Sequence, residues 1–231
     1  MMNDQGRETR AEDSGTIQRH DTGKDLYDRL IKSLYFPSSK TPVVVEVPPM
    51  QYAMIDGQGD PNTSAAFQDA VGALYAVSYG IKMLPKKGIV PDGHFDYKVN
   101  ALEGLWDMPA GVDFDVTRKD KLVWTLMIMQ PPFVTQGLFE DIRAQAMKKK
   151  ADNPAIGRVR LMTLDEGLCC QTMHIGPFDN EPATFGRMEQ FTEEHGYRRA
   201  YLGHHEIYMS DFRKAAPEKL KTVLRFKVEK Q

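Results

Sequence analysis

A repeat constrains the fold of this chain more than any other feature. Lys121-Leu122-Val123-Trp124-Thr125-Leu126 resembles Lys219-Leu220-Lys221-Thr222-Val223-Leu224, and each stretch closes a half whose elements run strand, helix, strand, strand. In the first half the β-branched segment 42–47 is extended. Pro48-Pro49 interrupts it before Tyr52-Ala53-Met54-Ile55 resumes, and Gly57, Gly59 and Pro61 turn the chain. A helix capped at Thr63 or Ser64 carries Phe67, Val71, Leu74, Tyr75, Val77, Ser78 and Ile81 towards Pro85. The Gly/Pro/Asp-rich passage 85–96 reads as a loop. Residues 99–106 and 122–129 read as paired strands about the polar turn 117–120.

The second half repeats that order. A helix over 139–147 runs into Lys148-Lys149-Lys150, whose charge suits a helix C-terminus and reads as a solvated end. Asp152-Asn153-Pro154 stops it, and strands follow at 159–162 and 168–173. After the turn at Gly176-Pro177, a helix from Pro182 carries Phe185, Met188 and Phe191 to Gly196, and strands at 204–209 and 222–228 complete the set. Upstream, Leu26, Leu30, Ile31 and Leu34 recur at helical spacing and end near Pro37. The predicted class is α+β: two pseudo-symmetric βαββ modules, about 41–132 and 157–230, within a domain spanning 23–231. The polar residues 1–22 read as a disordered tail.

The chemistry concentrates in His204-His205-Glu206-Ile207-Tyr208-Met209-Ser210-Asp211. On a strand Glu206 and Tyr208 share one face, while Ile207 and Met209 take the other. Leu102-Glu103-Gly104-Leu105-Trp106 occupies the matching place in the first half, so each half offers a glutamate. If the modules pack about a pseudo-twofold axis, Glu103 and Glu206 face one central cleft, where ligand sites concentrate. Trp106 and Trp124 lie on adjacent strands as its aromatic wall. Tyr75 and Tyr79, one helical turn apart, face it from above. An apolar wall strips water from a flat molecule, and a buried carboxylate attracts a cationic group or holds a water as general base.

Other classes fall away. The formal charge of −2 gives no field for nucleic acid, and no apolar run reaches the roughly 20 residues of a membrane span. Without an apolar N-terminal segment of secretory type, the expectation is a cytoplasmic protein. Adjacent Cys169 and Cys170 point to opposite sides of a strand, as reduced core thiols. His174, His204, His205 and Glu206 lack the spacing of a metal set, so neither a metal nor another cofactor is expected. Ser210-Asp211 and these histidines make no nucleophilic triad, and Gly57-Gln58-Gly59 lacks the rest of a phosphate loop.

Together with the first-half stretches Leu102-Glu103-Gly104-Leu105-Trp106 and Trp124-Thr125-Leu126-Met127-Ile128, three C-terminal runs resemble the GyrI-like small-molecule-binding family. They are His174-Ile175-Gly176-Pro177-Phe178-Asp179, the run 204–211, and 216–225. The resemblance covers about residues 24–230. It implies tandem βαββ modules around a central pocket, with a glutamate at the Glu206 position on its floor. Relatives include effector-binding domains of multidrug-responsive transcription regulators, a gyrase-inhibiting protein, and stand-alone hydrolases that open the cyclopropane of DNA-alkylating natural products. The implied catalytic residues are Glu206, Glu103 and Tyr208, with Trp106, Trp124, Tyr75, Tyr79, Met127 and His174 binding an aromatic or cationic amphipathic ligand. Asp107 departs from the aromatic residue of many stand-alone relatives. The expected function is binding of such molecules with hydrolysis of strained electrophiles; non-catalytic sequestration or a sensor role is the alternative.

Overall fold

The computed structural model describes residues 21–112, 118–211 and 214–231. The expected tail therefore lies almost wholly outside the described residues, as does Thr117 of the polar turn. Helix α1 (Gly23–Tyr35) begins at a reciprocal cap, in which the Thr22 hydroxyl accepts from the Asp25 backbone and the Asp25 carboxylate accepts from the Thr22 backbone. Strands β1 (Val43–Val47) and β2 (Met50–Gln58) flank the Pro48-Pro49 break. Helix α2 (Ala65–Lys82) starts where the Ser64 hydroxyl accepts from Phe67 N, and α3 (Gln136–Lys149) is capped likewise by Thr135. Between them lie β3 (Glu103–Asp107) and β4 (Val123–Met129). Then come β5 (Arg160–Leu164), β6 (Gly167–Ile175), α4 (Glu181–Glu194), the short β7 (Tyr197–Arg199), β8 (His204–Tyr208) and β9 (Lys221–Lys230).

The strands pair antiparallel in the order β1-β6-β9-β8-β3-β4-β2-β5, with β7 on the far end of β9. Thus β3 and β8 lie side by side at the centre. The outer strands are exchanged between the halves of the chain: β1 pairs with β6, Val43 opposite Gln171, and β5 pairs with β2, Arg160 opposite Met54. One face of the sheet is covered by α2 and α4. Phe67 of α2 meets Trp106 and Trp124, and Phe185 of α4 meets His204 and Phe226. The other face is covered at its centre by the end of α1, where Tyr35 donates to Glu103. Cys169 and Cys170 are buried in separate apolar clusters, and burial pushes both thiols up to about 12, which keeps them unreactive.

Several elements differ from the sequence expectation, among them α3, which begins at Gln136 rather than at residue 139. Gly57 stays inside β2, because the Trp124 indole lies over it; a Cβ there would stand 2.0 Å from the ring. The turn comes at Gly59, at a φ of 100°. The strand expected from residue 99 begins only at Glu103. Before it the Asn100 amide donates to Tyr27 Oη and to the Met129 carbonyl, at 3.1 Å for the latter, while Phe95 and Tyr97 pack with Tyr27 and Phe133. Side-chain contacts there replace a ladder. Strand β7 was not legible, being three residues with no alternation to read.

Candidate functional site

The central strands fix the site. Gly104 stands opposite Glu206 and Trp106 opposite His204, so these four share the helix-covered face, joined by Tyr208 two residues beyond Glu206. Their side chains form one network. Trp106 Nε1 donates to Tyr208 Oη at 2.8 Å, the Tyr208 phenol lies beside the Glu206 carboxylate, and His204 Nε2 lies 2.8 Å from Glu206 Oε1. Burial, then the neighbouring Glu206 charge, holds the Tyr208 phenol well above its ordinary range, so it serves as a neutral donor. Gly104 makes room: a Cβ there would stand 2.8 Å from Trp106 Nε1 and 3.2 Å from Tyr208 Oη.

Helix α4 adds a second carboxyl. Glu181, its first residue, is buried beside Glu206. Burial, then the neighbouring Glu206 carboxylate, raises the Glu181 carboxyl well above its ordinary range. Around the carboxyls stand Phe178, edge-on to Tyr208 at 6.0 Å, and Phe185, 4.8 Å from the His204 ring. Lys119 and Asp179 form an exposed ion pair at 3.4 Å between the β4 approach and the turn before α4.

The structure divides the expected site residues. Glu206, Tyr208, Trp106, Trp124 and His174 lie on the helix face, although Trp124 is spent on Gly57 and Phe67, and His174 ties β6 to α4 through Thr184 Oγ1 at 2.9 Å. Tyr75 and Tyr79 lie against each other, tilted by 30° with ring centroids 6.1 Å apart, on the flank of α2 away from α3, which packs on the other flank through Gly80 and Ile142. Glu103 and Met127 are the correction. They pair with each other on the opposite face, because Glu103 stands opposite Ile207 rather than Glu206. The two glutamates therefore do not share a cleft. Leu126 faces Gly104 and Leu224 faces Glu206, so in the repeat Gly104, not Glu103, holds the place of Glu206.

Glu103 belongs instead to a buried charge network beneath α1. It accepts from Tyr35 Oη and from His205 Nε2, the latter at 2.8 Å, while His205 Nδ1 lies 3.1 Å from both oxygens of Glu166. Arg225 donates to Glu166 at 2.8 Å, to Gln171 at 3.1 Å and to the Leu34 carbonyl at 3.2 Å. With carboxylates at both ring nitrogens, His205 is an imidazolium. Burial would lower it, but the Glu166 charge and the hydrogen bonds that the ring donates to Glu103 and Glu166 outweigh burial and lift it to about 8. Likewise burial would raise Glu166, but His205 and Arg225 prevail and hold it at about 2.

These shifts fix a pH dependence of stability. The raised His205 contributes fully below its ordinary 6.5, and the contribution is lost as pH rises through about 8. The depressed Glu166 contributes fully above its ordinary 4.5, and that part is lost as pH falls through about 2. Unfolding free energies from urea titration are expected to be flat between these ordinary values. They should then decline towards about pH 9 by on the order of 2 kcal/mol, a decline that His205→Gln removes.

Comparison with known proteins follows this geometry. The model of the GyrI-like small molecule binding domain matches residues 40–229. The chain belongs to this GyrI-like family. A structure described as an uncharacterized conserved protein from Listeria innocua is 42% identical, with a TM-score of 0.80, covering 88% of this chain and 98% of that one. A structure described as a hydrolase from Listeria innocua is 40% identical, with a TM-score of 0.78 and the same coverages. No match is found among curated proteins. The GyrI-like match begins after α1, so the helix that closes the Glu103 network lies outside it. Among the described residues no helix is long and apolar enough to cross a membrane.

Sequence reasoning missed Glu181, Glu166 and Arg225 as members of buried polar networks. An acidic residue opening a helix reads as a favourable dipole contact, and a lone Arg in a strand reads as an outward one. Nothing local distinguished either from the ordinary case.

Proposed function

We propose that this protein binds amphipathic aromatic molecules on the helix face of its sheet, between modules of about 41–132 and 157–230. There it hydrolyses strained electrophiles such as cyclopropanoid natural products. The observation that carries the reading is Glu206: a carboxylate on a central strand, buried, steadied by Tyr208 and His204 and walled by Trp106, Phe178 and Phe185. Such a group positions a water and accepts its proton, while the aromatic wall holds a flat substrate out of solvent. Glu103 drops out of this chemistry, being enclosed on the other face. The Listeria innocua structure described as a hydrolase supports the catalytic side of the reading.

The test is direct. Purified protein is incubated with a panel of reactive cyclopropane compounds, and the hydrated, ring-opened products are followed by mass spectrometry. Formation faster than in buffer is expected. Tight binding, read from quenching of Trp106 and Trp124 fluorescence, without any conversion would instead mark a sequestration or sensor module.

A further inference from the structure

Polar contacts fasten the last turn of α1 to the sheet. Arg225 donates to the Leu34 carbonyl at 3.2 Å, Gln171 Nε2 donates to the Ser33 carbonyl at 3.3 Å, and Tyr35 donates to Glu103. The first half of the helix stands off, leaving a groove of about 410 Å³ lined by Leu26, Tyr27 and Leu30 of α1 and by Met50 and Met129 of the sheet. Beyond the helix, Met173 N donates to the Ser38 carbonyl at 3.0 Å, so the connection to β1 stays on β6 whatever α1 does.

Beneath the fastened turn the charges balance, Glu103 and Glu166 against His205 and Arg225. The groups around His205 come from every element packed there. Tyr35 arrives from α1, Glu103 from β3, Glu166 from the turn before β6, and Arg225 from β9, 3.5 Å from His205 Nδ1. Tyr52 of β2 shares this face, its Oη buried with no hydrogen-bond partner among the described residues, and Cys169 and Tyr201 lie behind Glu166. Without its proton, His205 has one ring N–H for two carboxylates, and the enclosed set carries a negative charge in excess. Arg225 still serves Glu166, so the deficit falls on Glu103, which is fully buried and keeps the neutral Tyr35 phenol. A buried carboxylate in that position needs water, and on this face its cover is the end of α1.

We propose that α1 is a pH-released latch: the proton that His205 holds between Glu103 and Glu166 keeps the helix docked, and its loss frees residues 23–35 while the sheet stays folded. The strands keep their ladders and their α2 and α4 packing on the other face. On the uncovered face Met50, Met54, Met127 and Met129 are unbranched side chains able to settle over the gap. The sign follows from the raised His205. Docking is favoured in full below its ordinary 6.5 and loses that contribution as pH rises through about 8, which multiplies the opening constant about tenfold from about pH 7 to about pH 9. Nothing in this depends on the chemistry of the opposite face.

Native-state hydrogen exchange of the full chain, in urea well below the unfolding transition, tests the latch. Amides of 23–35 should open with little dependence on urea, because a local opening exposes little surface, whereas those of β4 and β9 should follow the slope of global unfolding. Corrected for the intrinsic base dependence of exchange, the α1 opening constant should rise about tenfold over that pH interval at the same small slope. In His205→Gln the rise should vanish, and in Glu103→Gln, which removes the stranded carboxylate, it should shrink. If the wild-type α1 amides share the urea slope of the sheet at both pH values, the helix leaves only when the whole protein unfolds, and the proposal fails. A wild-type opening constant that is equal at the two pH values overturns it as well.

Discussion

Glu206→Gln should lower turnover by about 10²–10⁴ while leaving the affinity for neutral aromatic ligands nearly unchanged. The amide keeps the shape of the carboxylate beside Tyr208 and His204, so the pocket floor stays in place. What it loses is proton acceptance. A different result separates a binder from an enzyme. If Glu206 serves only as a counter-charge, the change should weaken cationic ligands by about 1–3 kcal/mol and spare neutral ones. Single-turnover rates and titration of Trp fluorescence on the same variant measure both quantities, with Tyr208→Phe as the control for the phenol. If turnover and affinity both survive, the site lies elsewhere.

Arg225→Met should destabilise the fold by about 3–5 kcal/mol, the scale for leaving a buried charge without its partner. Arg225 is fully enclosed and links three parts of the molecule: Glu166 before β6, Gln171 within it, and the Leu34 carbonyl at the end of α1. Methionine fills much of the volume but leaves Glu166 with His205 alone and the α1 carbonyl unbound. Denaturant midpoints measure the loss, and hydrogen exchange should show it spreading first through 23–35. The double variant Arg225→Met/Glu166→Met should lose less than the sum of the two single changes, because the uncompensated carboxylate is gone. Strict additivity would show that the ion pair is not what holds this face together.

The fold was legible because its signals are local. The apolar run 122–129, the cap at Ser64 and the Pro48-Pro49 break each act within a few residues, and each is found in the structure. The similar stretches 121–126 and 219–224 lead into β4 and β9, which flank the central pair. The site was legible only on one strand. Glu206 and Tyr208 do share a face, but aligning Glu103 with Glu206 was one residue out of register, and in a strand one residue is the difference between two faces. The true counterpart, Gly104, has no side chain to attract notice. Glu181 meets Glu206 across a helix–sheet contact, and Glu166 meets His205 and Arg225 across strands. Pairings of that range follow from register, which the sequence does not spell out.

The exchanged outer strands bear on how the chain is made. As synthesis proceeds, Val43 of β1 emerges long before Gln171 of β6, its partner across the ladder. At about 5–20 residues per second, β1 waits on the order of ten seconds with its edge unpaired. Meanwhile β2 and β4 can already zip together, but β2 stands without β5. Neither half can complete its sheet alone, so assembly is a late event dominated by contacts distant in sequence, the kind that folds slowly. The proline pair between β1 and β2 then acquires a second use, since proline at a strand margin discourages a waiting edge from recruiting a neighbouring nascent chain.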